Sequence, residues 1–383
     1  MRQTPALVFV ALLALPACAA PEPAGFLGGG ARDDDDPEGD GPHPLLGLEG
    51  GFSLRTTASD PPFACWGEGE ERDDPASCND AYLALAEALA GPVDSECIAA
   101  TREALLAATE LADAQGVEGP AAVDAASLAS LVAAQLRPED FASEEPVEVA
   151  AGPPRARDGY VELRLVFTHA RLGAWPARLL IPDGPPAPTL VYAPGHYDSL
   201  DDTLTLRKGL RLVQEEGFAV LVPAFRAYNG APVEADAALS LLCAGSSLLG
   251  AHVAELGVSR RFAEDLSALG LTEGALGVIG HSGGGINAVV SATLMPWDAV
   301  VFDGVSRWFL DVQRDGAFVQ VKDEAHPGLS ALAPCIYELQ DTEFQHEQPS
   351  CERSGEPAHA SAEYDYPAAD WERVTAFLGQ TMR

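Results

Sequence analysis

Lysine is almost missing from this chain. Lys208 and Lys322 are its only lysines, arginine supplies the rest of the 23 basic residues, and 58 acidic residues outweigh them to a formal net charge of −35. A field of that sign repels phosphate backbones and anionic membrane surfaces, so nucleic acid is excluded as a partner, and the acidity serves solubility rather than a particular cationic ligand. Metal-binding spacing is missing too. The eight histidines are scattered, none forms an H-E-x-x-H pair, and the cysteines never stand in C-x-x-C spacing, which leaves no metal reading. The glycine-rich stretches lack the lysine that a phosphate loop uses, so a nucleotide cofactor is not expected either, and no internal repeat is seen. Ala6 to Ala17 is apolar, but it is too short to span a bilayer.

What is present at the N-terminus reads as an export signal over residues 1–19: Arg2 gives a positive start, the apolar run follows, and small residues close it. Leu15-Pro16-Ala17-Cys18 resembles a lipoprotein box, with Cys18 as the lipidation site, while Ala17-Cys18-Ala19 fits ordinary cleavage. The expected location is therefore outside the cytoplasm, as an outer-membrane or periplasmic lipoprotein or as a secreted protein. Of seven cysteines, setting Cys18 aside leaves Cys65, Cys78, Cys97, Cys243, Cys335 and Cys351. An even set suits an oxidising compartment, and Cys65 with Cys78 and Cys335 with Cys351 would close short loops.

At 383 residues the chain exceeds one average domain. Residues 20–50 are rich in Pro, Gly and acid and too poor in apolar surface to offset the entropy of ordering, so they read as a disordered linker. Residues 51–150 read as a helical region, with helices over Asp80–Ala90, Ser95–Gln115 and Ala125–Leu136, the last placing Leu128, Leu131, Val132 and Leu136 on one face. Its expected role is a small unit packed on the main domain. Residues 151–383 alternate strands and helices. Strands are expected at Tyr160–His169, Trp175–Ile181, Thr189–Ala193, Phe218–Pro223, Leu276–Ile279, Ala299–Phe302 and Cys335–Leu339, and helices at Leu204–Glu216, Leu239–Leu269 and Trp371–Leu378. This order predicts an α/β fold, a mostly parallel sheet covered on both faces by helices.

The most informative stretch is Gly280-His281-Ser282-Gly283-Gly284. It follows the apolar run Ala275–Ile279 and precedes Ile286–Val290, so a strand meets a helix through a turn that glycines permit, the nucleophile elbow. Ser282 is the expected nucleophile. Acyl transfer also needs a base, a group to orient it, and donors for the oxyanion. Gly283 N–H is one expected donor and His196 N–H the other, from the loop after Thr189–Ala193, with Tyr197 next. His281, beside the serine, is expected to point elsewhere, as a pocket or packing residue.

These residues resemble the α/β-hydrolase superfamily from about Tyr160 to the end. Within it, Ala193-Pro194-Gly195-His196-Tyr197-Asp198-Ser199-Leu200-Asp201-Asp202 resembles the oxyanion loop of the dienelactone hydrolase and acetylxylan esterase group, and Leu242–Gly250 is similar to a stretch seen in such esterases. The resemblance implies cofactor-free hydrolysis through an acyl-enzyme, with a triad in the order Ser, acid, His. Carried across, the acid is Asp341, after Cys335–Leu339, with Asp303 and Glu343 as rivals. The base is His359, before the last helix, with His346 as rival. Phe225–Gly230 departs from the family's acidic-Arg-Gly-x-Gly element, and Asp341 and His359 stand only 18 residues apart; a Cys335 to Cys351 disulfide would brace that short segment. The implied substrate is a small-molecule or carbohydrate ester, acetyl esters among them. Amide or peptide hydrolysis by the same machinery and a non-catalytic surface binding protein are the alternatives.

Overall fold

The computed structural model describes residues 52–60, 95–115, 125–137, 141, 145–196, 198–225, 231–268, 270–303, 312–315, 318–321, 345–346 and 368–383. In chain order these form β1 (Phe52–Thr56), α1 (Ser95–Gln115), α2 (Ala125–Leu136), β2 (Val147–Ala151), β3 (Arg155–Arg157), β4 (Tyr160–His169), β5 (Gly173–Pro182) and β6 (Thr189–Ala193). Then come α3 (Leu200–Thr205), α4 (Gly209–Gln214), β7 (Ala219–Pro223), α5 (Ala231–Ala244), α6 (Leu248–Ala268), β8 (Leu276–His281) and α7 (Gly283–Leu294). β9 (Ala299–Asp303), β10 (Val312–Asp315), β11 (Phe318–Val321), β12 (Gln345–His346) and α8 (Ala368–Thr381) complete them. One mixed sheet runs β1-β2-β4-β5-β7-β6-β8-β9-β12, with β3 beside β4, while β10 and β11 form a separate hairpin. From β7 to β12 every neighbour is parallel.

Strand periodicity explains why both faces are covered. In β6, Leu190 and Tyr192 point into one core and Val191 and Ala193 into the other; in β9, Ala299 and Val301 share the first and Val300 and Phe302 the second. A strand apolar on both faces has no side for water. The first core is closed by Leu200, Leu204 and Leu212 from α3 and α4 and by Trp371, Val374 and Leu378 from α8. The second is closed by Val132 and Leu136 of α2, Leu249 and Phe262 of α6, and Ile286 and Val290 of α7.

Four expectations change in detail. Residues 52–56, expected in the helical region, are strand β1, paired in parallel with β2, and the expected boundary after residue 150 falls inside β2. The stretch expected as one helix over Leu204–Glu216 is two: Ser199 starts α3 with a capping box, its Oγ accepting from Asp202 N–H at 3.0 Å, and Lys208 at φ +63° turns the chain into α4. Leu239–Leu269 is likewise broken, at Gly245 with φ +81°, and the two helices meet at 98°. On α2, Val132 and Leu136 are buried as expected, whereas Leu131 is exposed. Residues 80–90, Cys335–Leu339 and the Cys65, Cys78, Cys335 and Cys351 pairings lie outside the described residues. A different cysteine contact is seen: Cys97 and Cys243 bring their sulfurs together between α1 and α5, with Cα atoms 6.0 Å apart. Among the described residues no single helix is long and apolar enough to cross a membrane.

Candidate active site

β8 delivers the chain to Ser282, which has φ +51° and ψ −123° before α7 begins. An L-residue in that conformation costs on the order of 1–3 kcal/mol and persists only where its surroundings dictate it. The surroundings are glycine contacts. A Cβ on Gly280 would stand 2.2 Å from Gly284 O, and one on Gly284 would stand 2.2 Å from the carbonyl oxygens of both Ala193 and Pro194. The end of β8, the start of α7 and the loop after β6 therefore meet backbone to backbone. Ser282 O accepts from Gly285 N–H at 2.9 Å and starts the helix, while its hydroxyl makes no capping bond. The residue is half-buried between the buried His281 and Gly283, at the end of β8 and the N-terminus of α7, which is the positive end of a helix.

The loop after β6 is folded by its own aspartate. Asp198, buried, accepts from Gly195 N–H at 3.2 Å and is held by Arg207, whose Nη2 lies 3.0 Å from it. Gly195 also has no room for a side chain, since a Cβ would lie 2.8 Å from His281 Cδ2. His281 thus packs against the loop. Gly195 N–H is thus given to Asp198, and His196 is the next residue of the loop.

The His196 side chain does something the sequence does not announce. Its ring fills the place of a side chain on Gly283, where a Cβ would be 2.1 Å from Cε1 and 2.5 Å from Nδ1. Its Nε2 is 3.0 Å from Glu234 Oε1, with the two side chains 4% and 0% exposed. Glu234 escapes sequence reasoning because Asp236, two residues on, is an equally good acid there and proves to be 55% exposed.

At the neighbouring strand ends, register aligns His281 with Asp303 and Asp303 with His346. The rival acid and the rival base thus have adjacent backbones, Asp303 one strand and His346 two strands from the elbow. Ser282, Gly283 and His196 are brought together; Asp341, Glu343, His359 and Cys18 lie outside the described residues. Among the described residues no group of three or more His, Cys, Asp or Glu is arranged to hold a metal.

The fold is α/β, a mostly parallel mixed sheet flanked by helices with a strand–turn–helix at Ser282. No protein-family model matches the sequence, and no curated protein matches it. Solved structures similar to it include a Bacteroides fragilis protein named as a candidate acetyl xylan esterase, 17% identical over 51% of this chain and 58% of its own, with a TM-score of 0.39. Another is an acetyl xylan esterase from a Paenibacillus species, 15% identical over 48% of this chain and 60% of its own, TM-score 0.38. A third is a cold-adapted esterase from an Arctic intertidal metagenomic library, 10% identical over 60% of this chain and 97% of its own, TM-score 0.40. The chain spans about three fifths of the length of the first two.

Proposed function

We propose that this protein is a serine hydrolase that cleaves carboxylic esters through an acyl-enzyme. The observation that carries the reading is Ser282: a residue other than glycine held at φ +51° between a strand and a helix, with its hydroxyl left out of the helix cap. Strain of that kind is maintained where a nucleophile must stand clear of the sheet. In the proposed reaction Ser282 Oγ attacks the ester carbonyl and passes its proton to a histidine. The carbonyl oxygen gains negative charge and is met by Gly283 N–H and His196 N–H. The histidine returns the proton to the leaving alcohol, and water resolves the acyl-enzyme by the same steps in reverse roles. His359 is the proposed base and Asp341 the acid that orients it. Asp303 with His346 is the second reading, favoured by their side-by-side register beside the elbow.

Acetyl esters of carbohydrates are the proposed substrates, on the resemblance of the 193–199 loop to acetylxylan esterases. Export, with a lipid on Cys18, and a disulfide between Cys97 and Cys243 belong to the same reading, since a cross-link of that kind persists outside the reducing cytoplasm. A fluorophosphonate probe together with p-nitrophenyl acetate tests the core of it. Wild type should label and release nitrophenol, and Ser282→Ala should do neither. Equal labelling of both proteins would refute Ser282 as the nucleophile. Faster turnover of a matched amide than of the ester would move the protein to the amidases.

A further inference from the structure

We infer that the buried pair of His196 and Glu234 is the clamp that sets the oxyanion pocket: Glu234 fixes the His196 ring on Gly283, and the ring fixes the spacing between the loop after β6 and the elbow. This rests on the hydrolase reading above. The pair is sealed from water, His196 Nε2 lying 3.0 Å from Glu234 Oε1 with side chains 4% and 0% exposed. A carboxylate so buried depends on its partners, so a ring that swings away gives up the 3.0 Å contact to Oε1 and the compensation that goes with it. The Cε1–Nδ1 edge of the ring, next to the nitrogen that meets Glu234, fills the position of the side chain that Gly283 lacks. That edge therefore touches the very peptide whose N–H is a proposed oxyanion donor, and His196 supplies the second donor from its own backbone.

The rest of the loop is anchored differently. Asp198 folds it onto itself through Gly195 N–H and binds Arg207, and Gly195 packs on His281. Those contacts shape the loop; the His196 contact registers it against the elbow. Glu234 is well placed to hold that register, because it sits in the first turn of α5 while Cys243 in the last turn meets Cys97 of α1. His196 and Glu234 are thus positioning residues in their side chains, acting on the two backbone donors. A donor displaced by about 1 Å forfeits stabilisation that exists only in the transition state, so the loss should fall on kcat and not on KM.

The test is steady-state hydrolysis of p-nitrophenyl acetate by the full chain, with kcat expressed per site titrated to completion by a fluorophosphonate and with the fold checked by thermal unfolding. His196→Ala and Glu234→Ala should each lower kcat about 100-fold with KM within about threefold of wild type. Glu234→Gln keeps an oxygen acceptor for Nε2–H, and should restore kcat to within about tenfold of wild type. Should the alanine variants fail to fold, His196→Asn, which leaves no ring on Gly283, carries the same expectation. Alanine or asparagine variants with kcat within about threefold of wild type would overturn the clamp, and so would Glu234→Gln as slow as Glu234→Ala. A wild type that neither labels nor turns over is a separate outcome: it removes the hydrolase reading itself, and the clamp with it.

Discussion

Adding one methyl group at Gly283 measures how firmly the elbow and its loop are locked. In Gly283→Ala the new Cβ would stand 2.1 Å from His196 Cε1, 2.5 Å from Nδ1 and 2.9 Å from Nε2, all below contact distance, so the ring must leave. Overpacking of this kind costs about 1–3 kcal/mol. Parting His196 from Glu234 takes a partner from a carboxylate with no exposure, and breaking a buried pair costs up to about 3–5 kcal/mol. Against these, alanine gains at most about 1 kcal/mol over glycine at the start of a helix. The steric and electrostatic costs win, and the variant should lose about 3 kcal/mol or more. At about 2–4 °C per kcal/mol for a domain of this size, calorimetry or circular dichroism should show a clear fall in Tm. The control is the same change in a His196→Ala background. With the ring gone the methyl has space, so the cost of Gly283→Ala should fall to within about 0.5 kcal/mol of zero. A Gly283→Ala protein as stable as wild type would refute the reasoning, as would an undiminished cost in the double variant.

Other expectations follow from separate features. Ser282→Gly should relieve the positive φ and raise stability by about 1 kcal/mol while abolishing ester hydrolysis, read by thermal unfolding and a nitrophenol assay; a destabilised variant would contradict the strain seen at the elbow. Gly379 lies in α8 with nothing within 4 Å of an added Cβ, so Gly379→Ala should stabilise by about 0.5–1 kcal/mol in denaturant titrations. If Cys97 and Cys243 are bonded, mild reduction or Cys243→Ser should cost about 2–5 kcal/mol. Unchanged unfolding in reductant would mean that the cross-link is not made.

The elbow was legible because its physics is local: apolar runs on either side of a glycine-flanked serine leave the backbone few choices, and Ser282 adopts the one expected. The strands from β6 to β9 were legible for a similar reason, as runs apolar on both faces have nowhere to lie but the middle of a sheet. The bounds of α1 and α2 were readable from Asp94 and Asp124, which precede them, and from Gly116 and Pro138 beyond their ends. What stayed hidden depends on contacts across long separations. Phe52–Thr56 is mostly exposed and gains its strand character from pairing with β2, a partner that pattern alone does not supply. The break at Gly245 carried a turn signal in Gly245-Ser246-Ser247, yet apolar residues on both sides kept a helical pattern running through it. The seat of the His196 ring is invisible for a different reason: a glycine in a Gly-x-Ser-x-Gly turn already has a reason to be glycine, so the second reason, room for an imidazole, leaves no extra mark.

The close approach of α2 to α6 bears on how this chain could be shortened. A Cβ on Gly250 would lie 2.4 Å from the carbonyl oxygen of Leu136, Arg137 reaches across to Gly245 O at 2.9 Å, and Val132 and Leu136 share a core with Ile286 of the elbow helix. Trimming the protein to begin at residue 151 would remove a wall rather than an appendage, baring one flank of the helix that carries the serine. Residues 132–137 are, in mechanical terms, part of the frame against which the helix after Ser282 is braced.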